Sequence, residues 1–121
     1  MENNLEKFFR PKRRSQPQKL GDFKEKVFQF LQEIPKGRIT TYGRVARFCG
    51  ILNPRNVGWI LQQNEDEKIP CYKVVGAGGK LTYGYKFGGK EWQKKHLIEE
   101  GIEFGENETI KDFKNKIWPS K

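Results

Sequence analysis

A chain of 121 residues has room for one domain with a real core and not for two. Its 24 Lys and Arg against 15 Asp and Glu give +9 and a pI near 9.6, so its natural partner is a polyanion, nucleic acid ahead of an anionic membrane surface. No apolar run approaches membrane-spanning length, Met1-Glu2-Asn3-Asn4 lacks the charged start and apolar core of a signal peptide, and Cys49, Cys71 and the sole histidine, His96, are not spaced for zinc.

The chain is thus expected to be intracellular, with reduced thiols and no metal. Residues 1-20 carry Lys7, Arg10, Lys12, Arg13, Arg14 and Lys19 against Glu2 and Glu6, a net +4. Pro11 and Pro17 oppose a long helix there, which predicts a flexible basic arm, either a sequence-independent phosphate clamp or a merely solvated tail. Arg10-Pro11-Lys12-Arg13-Arg14 also has the composition of a nuclear import signal. The expected compartment is the cytoplasm or nucleoid, or the nucleus in a eukaryote.

Residues 21-121 read as the folded domain. Asp22 is placed to cap a helix in which Phe23, Val27, Phe30, Leu31 and Ile34 recur at helical spacing until Pro35-Lys36-Gly37. Thr41 can cap a short helix from Tyr42 to Cys49 that Gly50 stops; Asn53-Pro54 then caps and starts another carrying Val57, Ile60 and Leu61. Two short helices after a longer one predict a helix-turn-helix. Ile69-Pro70-Cys71-Tyr72-Lys73-Val74-Val75 reads as a short buried strand, its cysteine either a core hydrophobe or a positioned nucleophile. Gly76-Ala77-Gly78-Gly79 before Lys80-Leu81-Thr82-Tyr83 predicts a turn between short strands, a wing, and lacks the Lys-Ser or Lys-Thr of a phosphate-binding loop. A last helix is expected from Gly89 to Glu100 with Gly101 beyond it, and Phe113, Ile117 and Trp118 should pack back on the domain. The expected fold is mainly α with a small β hairpin, a winged helix-turn-helix.

The ordered set Ile39-Thr40-Thr41-Tyr42-Gly43, Asn53-Pro54-Arg55-Asn56-Val57-Gly58, Asn64, Ile69 to Val75, Gly84-Tyr85-Lys86-Phe87-Gly88 and Glu100-Gly101 resembles the C-terminal domain of the O6-alkylguanine-DNA alkyltransferases over residues 22-102. The resemblance implies a monomer that binds the minor groove of double-stranded DNA, flips out an O6-alkylguanine and moves the alkyl group irreversibly to a cysteine, without a cofactor. Carried over residue by residue, Cys71 matches the alkyl acceptor and Arg55 the arginine that fills the space of the flipped base. Tyr42 matches the tyrosine that crowds the target phosphate, and Tyr85 the one that hydrogen-bonds the guanine ring. Asn64, about 13 Å along a helix from Arg55, matches the asparagine that ties the helix to the cysteine segment. Glu100 matches the carboxylate behind the catalytic histidine, with Glu99 the alternative one position away.

Two departures shape the expectation. Tyr72 and Lys73 stand where the family motif Pro-Cys-His-Arg-Val has histidine and arginine, and a phenol of reference pKa about 10 is a poor base near neutrality. Lys73 then enters as a supplier of positive potential and a DNA contact, while His96, in the last helix, has no evident geometric reason to substitute. The second departure is a basic arm in place of the family's N-terminal domain. Single-domain alkyltransferase-like proteins share this truncation but carry tryptophan or alanine for cysteine and flag damage for excision repair. Compact alkyltransferase is therefore the first reading, and damage recognition without transfer, with excision-repair proteins as partners, the second.

Overall fold

The computed structural model describes residues 20-81 and 85-120. All of the predicted basic arm but Leu20, and Thr82 and Tyr83 of the predicted wing, lie outside the described residues. A 3₁₀ turn, Leu20–Phe23, leads into helix α1, Lys24–Gln32, which buries Val27, Phe30 and Leu31 at helical spacing. Asp22 is not its cap. The 3₁₀ turn runs straight on into the helix, so the residue at the cap, Phe23, already has helical φ and ψ, and no extended residue is placed to offer a side-chain oxygen.

Strand β1, Thr40–Thr41, passes directly into α2, Tyr42–Cys49. Thr41 is extended and its Oγ1 accepts from the Arg44 amide at 3.2 Å, while Gly50, at φ 81°, ends the helix in the left-handed region that glycine tolerates. Helix α3, Arg55–Gln62, starts where Asn53 Oδ1 accepts from the Arg55 amide at 3.0 Å, and it turns Val57, Ile60 and Leu61 inward. These pack with Val45, Ala46 and Cys49 of α2 and with Phe30 and Leu31 of α1 in one core, giving the predicted helix-turn-helix. Apolar burial of this kind, about 1.5–3 kcal/mol per large side chain, holds such short helices together, because helices of eight residues are marginal alone.

The fold is mainly helical with a small two-stranded sheet, but the sheet is not a hairpin. Strand β2, Val74–Val75, pairs in parallel with β1, Thr40 opposite Val74 and Thr41 opposite Val75. The strand expected from Ile69 starts late: Pro70 offers no amide hydrogen, its carbonyl accepts from the Lys73 amide at 3.1 Å, and Cys71–Lys73 close into a 3₁₀ turn. After β2, Ala77–Gly79 form a third 3₁₀ turn that packs tightly. A Cβ on Gly79 (φ 86°) would lie 2.9 Å from Phe113 and 3.2 Å from Ile110, so glycine is needed there. Lys80 makes a single antiparallel bridge to Thr109.

Helix α4 runs Gly89–Glu99, with Gly101 beyond it at φ 94°, and a short helix α5, Phe113–Lys116, follows. The chain end returns as predicted: Trp118 lies 5.2 Å from Phe30, ring to ring, and its amide bonds the Ile39 carbonyl, while Phe113 and Ile117 pack on a second core of Ile39, Val75, Leu81, Leu97, Ile102 and Ile110. Among the described residues no helix is long and apolar enough to cross a membrane.

Candidate functional site

Cys71 opens the turn between α3 and β2, almost completely buried, and the side chain of Asn64 holds its sulfur. Asn64, just past the end of α3, donates from Nδ2 to Cys71 Sγ at 3.3 Å and to the Asp66 carbonyl at 2.9 Å, while its Oδ1 accepts from the Asp66 amide at 2.9 Å. Because the Asp66 amide occupies the oxygen, the amide nitrogen must face the sulfur. A donor aimed at sulfur favours the thiolate, yet burial dominates and pushes the thiol up to about 11, with the Asn64 bond and the charge of Lys86 working against it. Lys86 is itself tied to α3 through a 3.1 Å bond from Nζ to the Gln62 carbonyl.

The residues after Cys71 face a carboxylate. The Tyr72 hydroxyl donates to Glu100 Oε2, the Gly37 amide donates to Oε1 at 2.9 Å, and Lys73 Nζ lies 3.1 Å from the same Oε1. Burial alone would raise Glu100, but the bonds from Tyr72, Gly37 and Lys73, with the lysine's charge, outweigh it and hold the carboxyl below its usual range. Tyr72 is pushed the other way, above its ordinary value, first by burial and then by its bond to the Glu100 carboxylate. Its proton is committed to Glu100.

Of the two carboxylates left open by spacing, Glu100 meets the cysteine turn; Glu99 is exposed and faces His96 at 3.5 Å. Lys73 requires a correction. Its side chain is 5% exposed, and Nζ donates to the carbonyls of Ile34 and Pro35 at 3.1 Å each as well as pairing with Glu100. An ammonium so enclosed cannot reach a DNA phosphate; it straps the cysteine turn to the end of α1. Nor does it bias the thiol, since the cation that lowers Cys71 is Lys86.

Tyr85 is buried with its ring edge-on to Tyr72 at 6.3 Å, and burial raises its phenol to about 12, with charges at Glu67 and Cys71 adding to the effect. Tyr42 and Arg55 sit at the first turns of α2 and α3, with Arg55 exposed at the opposite end of α3 from Asn64. Asn64 with Cys71, and Tyr72 with Lys73, Glu100 and Tyr85, are therefore brought together, while Tyr42 and Arg55 mark a separate end of the motif.

Two contributors, Gln93 and Lys86, were given no role by the sequence, and a third, His96, was set aside there for want of a geometric reason. Gln93, 2% exposed on α4, donates from Nε2 to the carbonyls of Tyr72 and Val74 at 3.0 Å each and so fixes the cysteine turn to that helix. Its spacing of four from Leu97 places it on the inward face, a signal that could have been read. His96 lies 4.9 Å from the Tyr72 ring, and Lys86 brings its positive charge to bear on Cys71. Neither of these has a local pattern, because each joins segments separated by a loop.

Comparison with known proteins fits this geometry. The chain is 32% identical over 87 residues to alkyltransferase-like protein 1 of Schizosaccharomyces pombe, covering 70% of this chain and 81% of that protein. It is 40% identical over 99 residues to a methylated-DNA–protein-cysteine methyltransferase of Methanosarcina mazei, covering 71% of this chain but only 58% of the relative. The crystal structure of S. pombe Atl1 in complex with damaged DNA containing O6-carboxymethylguanine superimposes with a TM-score of 0.71 at 28% identity, covering 84% of this chain and 98% of that one. The model of the 6-O-methylguanine DNA methyltransferase DNA binding domain matches residues 22–102, and with the helix-turn-helix and the Cys71 turn in place, the chain belongs to that family.

Proposed function

We propose that the protein repairs DNA by flipping an O6-alkylguanine out of the duplex and taking the alkyl group onto Cys71. The observation that carries this is the Cys71 sulfur held by Asn64 inside a helix-turn-helix of this family. Arg55, exposed at the start of α3, fills the space of the flipped base; Tyr42 crowds the target phosphate; Tyr85, kept protonated by burial, hydrogen-bonds the guanine. In the reaction the Cys71 proton leaves, and the thiolate pair attacks the alkyl carbon. The carbon–O6 bond breaks with its electrons on guanine, and guanine takes up a proton. Thiol and alkylguanine thus become thioether and guanine, and the protein is consumed.

The test is mass analysis after incubation with duplex containing O6-methylguanine. One methyl group on the Cys71 peptide is the expected result; a methyl group on Cys49, or no gain in mass, sinks the proposal. A thiol raised to about 11 beside a tyrosine whose hydroxyl is engaged as a hydrogen-bond donor to the Glu100 carboxylate favours a second reading, recognition of the lesion without transfer and recruitment of excision repair. Tight binding to the lesion with no gain in mass selects that reading.

A further inference from the structure

The segment ahead of the domain holds more than cations. After Met1 its sequence places three large apolar side chains, Leu5, Phe8 and Phe9, directly before Arg10, Lys12, Arg13 and Arg14, and from Arg10 to Lys19 no apolar residue follows except the two prolines. A phosphate clamp needs the cations but has no use for adjacent phenylalanines, and a solvated tail is by composition poor in aromatic residues. Among the described residues the domain fills its two cores with side chains from Phe23 to Trp118, and the family match begins at residue 22. Leu5, Phe8 and Phe9 therefore precede the family's domain and call for a role of their own.

Positions i, i+3 and i+4 share one side of a helical turn. Wound as such a turn, residues 5-9 would offer one aliphatic and two aromatic knobs to a single apolar cleft, and Pro11 would stop the winding just beyond. The cations that follow ask for an acidic rim beside that cleft. An acidic-rimmed protein is repelled by phosphates, yet this domain works on DNA. Both conditions are met by a partner held on the duplex by topology rather than charge: a ring that encloses DNA and turns its acidic face outward.

The tether fits that arrangement. Ten residues separate Phe9 from Leu20, about 17 Å as a coil and at most about 35 Å when stretched, or one turn of duplex. The segment enters the domain through the turn Leu20–Phe23, which packs against α3, the helix that carries Arg55. A ring and the domain can therefore occupy neighbouring stretches of the same DNA.

We infer that the segment before the domain is a docking peptide for a ring-shaped DNA sliding clamp, with Leu5, Phe8 and Phe9 seated in an apolar cleft on the clamp's outer face and the cations beside them paired with its acidic rim. Docking delivers the domain to DNA and holds whether or not Cys71 accepts an alkyl group. Apolar contacts supply its affinity, so it should survive salt that strips the chain from phosphates.

The test is calorimetric titration of the full chain into the purified sliding clamp of the same organism, without DNA, at low and at high salt. One chain should bind each clamp subunit, with affinity falling less than tenfold over a salt range that lowers duplex affinity by about 10³-fold. Phe8→Ala with Phe9→Ala should weaken clamp binding about 20-fold or more, while duplex binding stays at the parent's level because the cations are untouched. Cys71→Ser should dock as the parent does. A clamp that does not bind the chain, or that binds the double variant equally well, overturns the inference. So does a double variant that loses affinity only for single-stranded oligonucleotide, which would make the two rings a stacking platform for bases.

Discussion

At the scale of single residues, the proposed function predicts that binding and chemistry can be separated. Cys71→Ser should abolish alkyl transfer while leaving duplex affinity within about 1 kcal/mol, since backbone electrostatics dominate affinity; a gel-shift titration beside the mass measurement checks both halves. Restoring the histidine of the family motif, Tyr72→His, places an imidazole next to the thiol and against Glu100. Transfer near pH 7 should then rise about tenfold or more, toward the 10²-fold typical of a positioned base. A single-turnover rate that stays flat or falls across pH 6 to 9 would show that the phenol was never limiting. Asn64 carries a different load. Asn64→Ala removes the amide donor that faces the sulfur and leaves the Asp66 amide without its side-chain acceptor, so the thiol should be pushed higher still and the fold should lose about 1–3 kcal/mol.

Elements decide what Lys73 and Arg55 do. Lys73 joins the cysteine turn to the end of α1, donating to two carbonyls and one carboxylate from a buried position. Lys73→Met should therefore lower the urea midpoint by the equivalent of about 2–4 kcal/mol and leave the salt dependence of DNA binding unchanged; a shallower salt slope with normal stability would restore it as a phosphate ligand. Arg55 should show the reverse pattern. On α3 it forms one exposed stripe with Trp59, 49% exposed and four residues on. Arg55→Ala should keep most of the salt slope and lose the preference for O6-methylguanine duplex, because unstacking by a few kcal/mol then goes uncompensated. A base-analogue fluorophore beside the lesion reads extrusion directly. Brightening equal to that of the parent would remove Arg55 from the flipping step.

Over the whole molecule, charge and pH are the readable variables. The basic arm should neutralise DNA phosphates, and deleting residues 1-20 should flatten the log-log salt dependence of binding by about 0.9 for each phosphate no longer neutralised; an unchanged slope would make the arm a solvated tail. Acid stability should depend on Glu100, whose folded carboxyl titrates below its unfolded value of about 4.3. Its contribution is then complete above that unfolded value and is lost as pH falls through the lower folded one. Glu100→Gln should lower stability at pH 7 and reduce the further loss on acidification, as followed by urea midpoints between pH 3 and 7. Parallel pH profiles for the two proteins would mean that other carboxylates carry the acid transition.

The sequence by itself determined the main helices and the helix-turn-helix, because caps, glycines and apolar spacing are local signals. Thr41, Gly50 and Asn53 act where their chemistry says they should, and Trp118 returns to the core as its apolar neighbours suggested. What lay beyond it was everything joined across long separations. The parallel pairing of Thr40 with Val74 spans the whole helix-turn-helix, and no residue pattern distinguishes it from a hairpin. Lys73 read as a surface cation, since burial of an ammonium is decided by the carbonyls of Ile34 and Pro35 and by Glu100, which the fold gathers from both ends of the domain. His96 and Gln93 became neighbours of the cysteine turn only when α4 packed against it. Local free energies fix which segments form; which side chains meet is settled by how those segments share one core.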